Sequence, residues 1–419
     1  MEITFFTDLD KEIITILKTA SCRLSPNPTI RLVGGWVRDH LLGQENNDFD
    51  VCISGNSDVE GFAREIETIC ETKGIAKLQG NPQADTVISI IRVNLKKDLW
   101  IDLTYIENIE DDSKTRDFTL NSIYFNVNEM NIEDPANGIY SIKNKIIQIA
   151  VEPKKAFYDE PRRILRLLRF VSVLGYSVSE EILDVILEID ENNFKKKVPS
   201  ARIGLELMKM LNGAHFQRVF PILLKSHSNL FGLIFDVDGI YKLNAIEAFH
   251  RVIRIKSPCN ALLFAAIYLP LKDSQYKLSG ICKKYQIPSD FAVEGSRFFY
   301  ASQIFDDQGQ IELTRYSIGK ILIKLGQNWK ISCEILQTES GQKLFSQFLE
   351  FVVKERMEDA WSTKPFFSNR ELIEIHGKLV DRSSINKLGD SLLRWQLENP
   401  SKNKSDYIQY VKTLNTDIN

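Results

Sequence analysis

The stretch from residue 29 to residue 53 places the tightest constraint on what this chain can fold into. It begins with a short apolar run, residues 30–33, which predicts a buried strand. Gly34 and Gly35 break this run, and the apolar residues that follow have the spacing of a helix that Gly43 would cap. The stretch therefore predicts a strand, a glycine turn and a short helix in direct succession.

A second strand is predicted after this helix, and it carries Asp48 and Asp50. Because side chains alternate between the two faces of a strand, the two carboxylates point the same way. Two parallel carboxylates repel each other unless a cation lies between them, and a divalent metal ion is the usual one. Beside a glycine turn at a helix N-terminus, the pair predicts a site for a triphosphate chelated to Mg²⁺. Either motif alone is more often an ordinary turn or a solvated strand end.

The joint pattern Gly-Gly-x-Val-Arg-Asp, short helix, Asp-x-Asp resembles the class II tRNA nucleotidyltransferase (CCA-adding enzyme) and bacterial poly(A) polymerase family. The resemblance implies a polymerase-β-like α/β head, with a mixed sheet covered by helices, followed by an all-α neck, body and tail. The implied boundaries are 1–150 for the catalytic head, 151–212 for a neck that reads the base, and 213–419 for a body and tail that bind tRNA. The nucleotide-cradling role falls on Gly34, Gly35, Arg38 and Asp39.

Further elements follow from apolar spacing. Residues 8–20 and 59–69 have helical periodicity, and Ser57 is the predicted N-cap of the second helix. Strands are predicted at 86–93 and 100–105. This mixture of strands and covering helices independently predicts an α/β head.

Asp102 lies inside the apolar strand predicted at 100–105. A carboxylate in such a strand needs a partner unless the strand lies at a sheet edge and faces water, and the sequence alone leaves both readings open. The resemblance makes Asp102 the third carboxylate of the site. In that reading Asp48 and Asp50 bind Mg²⁺, while Asp50 and Asp102 activate the attacking 3′-hydroxyl.

The block at residues 115–122 resembles the family's Arg-Arg-Asp-Phe-Thr-x-Asn-Ala motif. The resemblance implies that Arg116, Asp117 and Asn121 contact the ribose and triphosphate of the incoming nucleotide. The family's first arginine is Thr115 here, so one phosphate contact is missing.

Residues 159–170 contain Asp159, Glu160, Arg163 and Arg166, with Pro161 predicted at the first helical position. Taken alone, Glu160 and Arg163 are an ion pair on one helix face. The resemblance identifies the segment with the family's Glu-Asp-x-x-Arg template. Cytosine and adenine offer an amino donor beside a ring-nitrogen acceptor, which a carboxylate and a guanidinium match. Arg166 is expected to face the triphosphate or the tRNA end.

Two features bear on which nucleotide is used. The template's aspartate is Glu160 here, and the segment between Asp102 and Arg116 lacks the arginine and the flexible loop of full CCA-adding members. Loss of that loop marks the family's CC-adding members, so we expect two cytidines to be added and a separate A-adding enzyme to complete the end. An A-adding enzyme tuned by Glu160 and a full CCA-adding enzyme remain the alternatives.

Composition limits how the chain can bind nucleic acid, whether it holds zinc or disulfides, and where in the cell it is expected. The net charge of −3 requires any nucleic acid to be bound by local basic patches. Six cysteines without a Cys-x-x-Cys pair argue against structural zinc and disulfides. No apolar run reaches the length of a membrane span, and the N-terminus lacks signal-peptide features, so we expect a cytoplasmic protein, with the nucleus and mitochondria left open.

Residues 210–419 have helical periodicity without a recognisable motif. Breaks are predicted near Pro221, Gly232, Pro258, Pro288, Gly341 and Pro365. The candidate tRNA contacts are Lys354, Arg356, Lys364, Arg370, Lys378, Arg382, Lys387 and Arg394. A non-catalytic RNA-binding protein on the same scaffold is the competing class, and a poly(A) polymerase is a further alternative.

Overall fold

The computed structural model describes residues 3, 6–79, 89–96, 98–225, 229–237, 242–254, 259–269, 278–376 and 382–416. The chain divides into two compact units, residues 1–199 with 212–230 and residues 200–211 with 231–419. All predicted site residues belong to the first unit. The boundaries expected at residues 150 and 212 stay predictions.

The strands lie in the first unit. They are β1 (Thr29–Val33), β2 (Phe49–Ser54), β3 (Ile75–Gln79), β4 (Ser89–Lys96), β5 (Leu99–Tyr105), β6 (Tyr124–Asn126), β7 (Asn131–Glu133), β8 (Ile146–Ile147) and β9 (Ser177–Val178).

The helices of the first 199 residues are α1 (Asp8–Cys22), α2 (Gly35–Leu41), α3 (Val59–Cys70), α4 (Ile109–Thr115), α5 (Gly138–Asn144), α6 (Pro153–Asp159), α7 (Arg162–Leu174), α8 (Glu180–Leu187) and α9 (Glu191–Lys197). Later helices are α10 (Ser200–Leu211), α11 (Val219–Lys225), α12 (Leu230–Phe235), α13 (Lys242–Val252), α14 (Asn260–Tyr268), α15 (Leu278–Tyr285), α16 (Ser289–Ser302), α17 (Arg315–Leu325), α18 (Glu339–Lys354), α19 (Asn369–His376), α20 (Arg382–Glu398) and α21 (Lys404–Thr416). Short 3-10 segments cover Thr119–Asn121, Phe216–Arg218, Trp329–Ile335 and Ala360–Ser362, and a π-helical turn covers Gln303–Asp307.

Seven strands form one mixed sheet in the order β3-β4-β5-β2-β1-β6-β7. Only the β2–β5 pair is parallel among the described strand pairs of this sheet. Helix α3 packs against β4 and β5, and α1 packs against α3 and β1. The predicted α/β head is therefore confirmed, and its central strands β1 and β2 are nearly fully buried because helices and loops cover them.

One expectation for this head needs correction, and one strand was not predicted. The N-cap of α3 is Asp58 and not Ser57, because the Asp58 carboxylate accepts the hydrogen bond of the Gly61 amide at 2.8 Å. Strand β3 was not predicted, because the apolar residues of Ile75–Gln79 do not alternate strictly with its polar ones. The predicted strand at 86–93 is found as β4 from Ser89 onward, and residues 86–88 lie outside the described part of the chain.

The regular elements among the described residues of the second unit are all helical, as the periodicity predicted. Its larger core is built around aromatic side chains of α18, the π-helical turn and the following 3-10 segment, including Phe305, Trp329, Phe345 and Phe348. A smaller core, formed by Phe367, Leu372, Leu392, Tyr407 and Val411, joins the last three helices. No helix in the described residues is long and apolar enough to cross a membrane.

Four of the predicted breaks lie at helix starts and one lies in a loop: Gly232 is the third residue of α12, and Pro365 lies between the Ala360–Ser362 segment and α19. Pro288 is the N-cap of α16, while Pro221 and Gly341 lie in the first turns of α11 and α18. Proline and glycine cost little there, because the first amides of a helix have no intrahelical partner. Pro258 is outside the described residues.

Candidate active site

The glycine turn connects β1 directly to α2. Gly34 has φ +75°, in the region that side chains rarely adopt, and it is the N-cap of α2. A Cβ on Gly34 would lie 3.4 Å from Oδ2 of Asp50. The positive φ makes glycine necessary, and the turn brings backbone against the carboxylate of the neighbouring strand. Gly43 also has a positive φ, just after the helix, as predicted for a helix end.

The register of β2 and β5 sets two of the carboxylates side by side. Asp50 lies directly opposite Asp102 in this parallel pair. Asp48 is exposed and lies one residue before β2 begins, so it precedes the strand on which it was expected. Burial, together with the charges of Asp48 and Asp102, raises the pKa of Asp50 to about 6, although Arg116 counteracts part of this shift.

Arg92 occupies both carboxylate oxygens of Asp102. Its Nε and Nη2 donate to Oδ1 and Oδ2 of Asp102, each at 2.7 Å. No group of three or more His, Cys, Asp or Glu side chains among the described residues is arranged to hold a metal ion. Asp48 and Asp50 thus remain as the donor pair, which suits Mg²⁺ because this ion is usually held by one or two carboxylates together with substrate phosphates. Burial first, and then the charge of Asp48, raises the pKa of Asp50, and a cation between the two carboxylates would favour the ionised form.

A chain of hydrogen bonds joins five of the predicted nucleotide-binding residues. Arg38 pairs with Asp39, and its Nη1 donates to Oδ1 of Asn121 at 2.7 Å. Asn121 in turn donates to Asp117 at 2.9 Å, and Arg166 donates to the same carboxylate at 2.6 Å. Burial opposes ionisation of Asp117, but Arg166, Asn121 and a backbone amide outweigh it and lower its pKa. The network therefore carries a fixed negative charge between two arginines.

Arg116 follows α4 and lies close enough to Asp50 to lower its pKa, and sequence reasoning missed its partners. Its Nε donates to Asp112 at 2.7 Å and to the Tyr124 hydroxyl at 3.2 Å. The Tyr124 hydroxyl also donates to Asp112 at 2.6 Å. The four-residue spacing of Asp112 and Arg116 on a helix was the available signal. These contacts fix the guanidinium near the carboxylates.

The segment expected to read the base spans the junction of α6 and α7. Helix α6 ends at the exposed Asp159, and Glu160 is its C-cap. Helix α7 begins at Arg162, so Pro161 is the N-cap and not the first helical residue as predicted. The chain turns at this point because Glu160 and Pro161 end one helix and begin the other.

Glu160 and Arg163 are paired in this turn. Nε of Arg163 donates to Glu160 at 3.4 Å, and Glu160 also binds Arg162 at 2.5 Å. Arg163 is 8% exposed and donates from Nη2 to the Thr115 carbonyl at 2.7 Å. Its buried Nη1 has no hydrogen-bond partner in the described part of the chain. A buried donor without a partner is costly, so this atom is available for a ligand acceptor.

A cleft of about 400 Å³ opens beside the carboxylates. It is lined by Asn46, Asn47, Asp48, Arg92, Asp98, Leu99, Trp100 and Asp102. Arg92 and Trp100 were not predicted as site residues. Nothing local in the sequence marks them, because their position depends on how β4 pairs with β5.

Comparisons with known proteins agree with this geometry. Residues 30–148 match the sequence profile of the poly A polymerase head domain. The tRNA nucleotidyltransferase cca2 of Schizosaccharomyces pombe is 23% identical over 478 residues, covering 97% of this chain and 98% of the relative. The tRNA nucleotidyltransferase cca1 of the same organism is 25% identical over 481 residues, covering 96% and 95%. The Thermotoga maritima CCA-adding enzyme complexed with tRNA matches with a TM-score of 0.67 at 16% identity, over 98% of this chain and 97% of that chain.

A mixed sheet with carboxylates on neighbouring strands, followed by helices over the remaining length, is the fold of the CCA-adding enzymes. The similarity of this chain to the class II tRNA nucleotidyltransferase and poly(A) polymerase family rests on the head-domain match at residues 30–148 and on relatives that match it over nearly its whole length. The predicted resemblance and fold class are both confirmed.

Proposed function

We propose that this chain adds cytidines from CTP to the 3′ end of immature tRNA and releases pyrophosphate. The observation that carries the proposal is the β2–β5 register, which sets Asp50 beside Asp102 while the glycine turn lies against Asp50. A nucleotide bound at the glycine turn and an attacking 3′-hydroxyl near Asp102 would then both lie next to the Asp50 carboxylate. The names of the relatives, tRNA nucleotidyltransferases and CCA-adding enzymes, support tRNA as the acceptor.

The nucleotide would lie along the hydrogen-bonded network. Gly34 and Gly35 admit the triphosphate to the backbone, while Arg38 and Arg166 flank it with positive charge. Mg²⁺ bound by the carboxylate pair would neutralise the phosphates and polarise the reacting one. Asp102 keeps free lone pairs despite its bonds to Arg92, so it can accept a hydrogen bond from the attacking 3′-hydroxyl.

Base choice would rest on Glu160 and Arg163. The carboxylate accepts from the exocyclic amino group, and Nη1 of Arg163 donates to the adjacent ring nitrogen. Uracil and guanine present the opposite order, which would leave buried groups unpaired. The pair therefore favours CTP and ATP over UTP and GTP.

The segment that follows β5 supports the use of one nucleotide throughout the reaction. Ile106 is buried, and Asn108 caps α4 by accepting from the Asp111 amide at 2.8 Å. Arg116 ties the end of this helix to Asp112. A compact helix stands where a lever loop would be expected, which favours an enzyme that does not change from one nucleotide to the other. The absent loop favours CTP, and a separate A-adding enzyme would then finish the end; ATP with the altered Glu160 is the alternative.

The test uses tRNA transcripts that end at the discriminator base, at C and at CC, each incubated with Mg²⁺ and one labelled nucleotide. CTP should extend the first two, and ATP should leave the third unchanged. Extension of the CC end by ATP alone would identify an A-adding enzyme, and completion of all three would identify a full CCA-adding enzyme. Failure with every nucleotide would favour a non-catalytic RNA-binding protein, and long adenylate tails on unstructured RNA would indicate a poly(A) polymerase.

A further inference from the structure

The cleft beside Asp102 extends from β4 and β5 to the loop that precedes β2. Arg92, Trp100 and Asp102 line its β4–β5 side, while Asn46, Asn47 and Asp48 line the loop side, where Asn46 lies 3.2 Å from a Cβ on Gly35 of the glycine turn. In phosphoryl transfer the attacking and leaving oxygens lie roughly in line on opposite sides of the phosphorus. If the triphosphate lies at the turn, the β4–β5 side of the cleft is the part that can hold the nucleotide carrying the attacking hydroxyl.

Trp100 offers an exposed ring in this cleft. It is two residues before Asp102 on β5, so both side chains point to the same face of the sheet. Trp100 as a residue is 41% exposed, whereas Trp36 and Trp329 are almost completely buried. A Cβ on Gly74 would lie 3.6 Å from Cη2 of Trp100, so one edge of the ring rests over a residue without a side chain. Exposed aromatic rings are stacking platforms for the unpaired bases of single-stranded RNA.

Arg92 supplies positive charge next to this ring. It lies opposite Asp102 across β4 and β5, and its side chain is 44% exposed. Asp48, Asp98 and Asp102 also line the cleft, and their negative charges repel phosphate. A nucleic acid therefore binds there favourably only if its phosphate lies next to Arg92. Nη1 of Arg92 has no hydrogen-bond partner among the residues that the structure describes. The cleft thus offers a ring for a base, a carboxylate for a hydroxyl and a cation for a phosphate.

We propose that this cleft binds the 3′-terminal nucleotide of the RNA being extended, with its base stacked on Trp100 and its phosphate next to Arg92. Arg92 is also a positioning residue, because it fixes the Asp102 carboxylate toward the ribose. The inference rests on the function proposed above and adds where the acceptor end lies.

The experiment combines protein variants with a changed RNA end. Affinity for tRNA is measured without nucleotide, by quenching of tryptophan emission and by filter binding, for the unmodified end and for an end whose last nucleotide is abasic. The proteins are the wild type, Trp100→Ala, Trp100→Phe, and Tyr140→Ala as a control for loss of an exposed aromatic outside the cleft (Tyr140 is 58% exposed).

Trp100→Ala should weaken binding about ten-fold, since stacking on an aromatic ring contributes on that scale, and Trp100→Phe should recover most of it. The abasic end should weaken wild-type binding by a similar factor and have no further effect on Trp100→Ala. Tyr140→Ala should bind normally. In the incorporation assay Trp100→Ala should raise the KM for tRNA and leave the KM for nucleotide within two-fold, while Arg92→Gln lowers kcat and Arg92→Lys partly restores it.

The inference would be overturned if Trp100→Ala bound tRNA with unchanged affinity. It would also be overturned if the loss caused by Trp100→Ala and the loss caused by the abasic end multiplied when the two changes were combined. These binding results do not depend on catalysis. A wild type that binds tRNA with the expected coupling but extends nothing would refute the proposed function and leave the binding site standing.

Discussion

The surroundings of Asp50 disfavour the ionised form of its carboxyl group. Burial and two neighbouring carboxylates raise its pKa to about 6, with Arg116 in partial opposition. Asp48, only two residues away, is exposed. The protein therefore carries an unfavourable charge at Asp50 near neutral pH, which is typical of a site organised to bind a cation and not for stability.

Replacing Asp50 by asparagine should make the protein more stable and inactive. In metal-free buffer at pH 7 we expect Asp50→Asn to raise the free energy of unfolding by about 2 kcal/mol, because a raised pKa means that the ionised form destabilises the fold. Denaturant unfolding measures the change. Nucleotide incorporation should fall at least about 100-fold.

Asp48→Asn is the matched control. It should alter stability by less than about 0.5 kcal/mol, since Asp48 is exposed, yet it should also abolish incorporation. A stability loss in Asp50→Asn, or full activity in either variant, would contradict the assignment of the metal pair.

At the scale of elements, the buried carboxylate of Asp10 on α1 holds α1 and α2 together. Asp10 forms a capping box with Thr7 and accepts hydrogen bonds from Nε1 of Trp36 at 2.9 Å and from the His40 ring at 3.0 Å. Burial alone would raise the pKa of Asp10, but the bonds from Thr7, His40 and Trp36 outweigh it and lower the pKa. This contact fixes α2, and with it the glycine turn.

We expect Asp10→Asn to lower the free energy of unfolding by about 2 kcal/mol at neutral pH, because buried donors lose a charged acceptor. Since the folded pKa lies below the unfolded value of about 3.9, the advantage of the wild type is complete above that pH and is lost as pH falls through the folded pKa. Urea unfolding across pH 2–7 checks this.

Asp8→Asn serves as the comparison for Asp10→Asn. Asp8 pairs with Lys11 on the exposed face of the same helix, so its loss should cost at most about 1 kcal/mol. Equal losses in the two variants would show that the buried network contributes nothing beyond a surface pair.

At the scale of the whole molecule, a net charge of −3 means that the proposed affinity for tRNA must come from local basic patches. Of the candidate contacts, Arg394 lies over the Tyr316 ring at 4.4 Å, and Arg370 lies 3.4 Å from Glu374. Lys354, Arg356, Lys364 and Lys387 are exposed, while Lys378 lies outside the described residues. Lys354 and Lys364 are two of these exposed candidates for phosphate contacts and are tested together.

The variant Lys354→Gln/Lys364→Gln should bind tRNA more weakly whatever its 3′ end. The slope of log K against log salt concentration should become shallower by about 2, one unit for each lost phosphate contact. Titrations between 50 and 200 mM salt measure it. Lys11→Gln, an exposed lysine of α1, should keep the wild-type slope, and an unchanged slope in the double variant would exclude both lysines as contacts.

Local chemistry in the sequence was enough to predict β1, the glycine turn, α2 and the carboxylates, because apolar spacing and a positive φ at glycine act over a few residues. The order of the blocks was enough to indicate the family. The starts of two helices were each predicted one residue too early: Pro161 was predicted as the first residue of α7 and is its N-cap, and Ser57 was predicted as the N-cap of α3, which is Asp58.

Only the tertiary structure decided which side chains meet. Strand pairing brings Arg92 to Asp102 and Asp102 to Asp50, although Arg92 and Asp50 are separated by more than forty positions in the chain. The same holds for Arg163, whose buried guanidinium reaches the Thr115 carbonyl of a distant segment. Register and burial depend on long-range packing of the whole sheet and its helices, which a local pattern of residues does not specify.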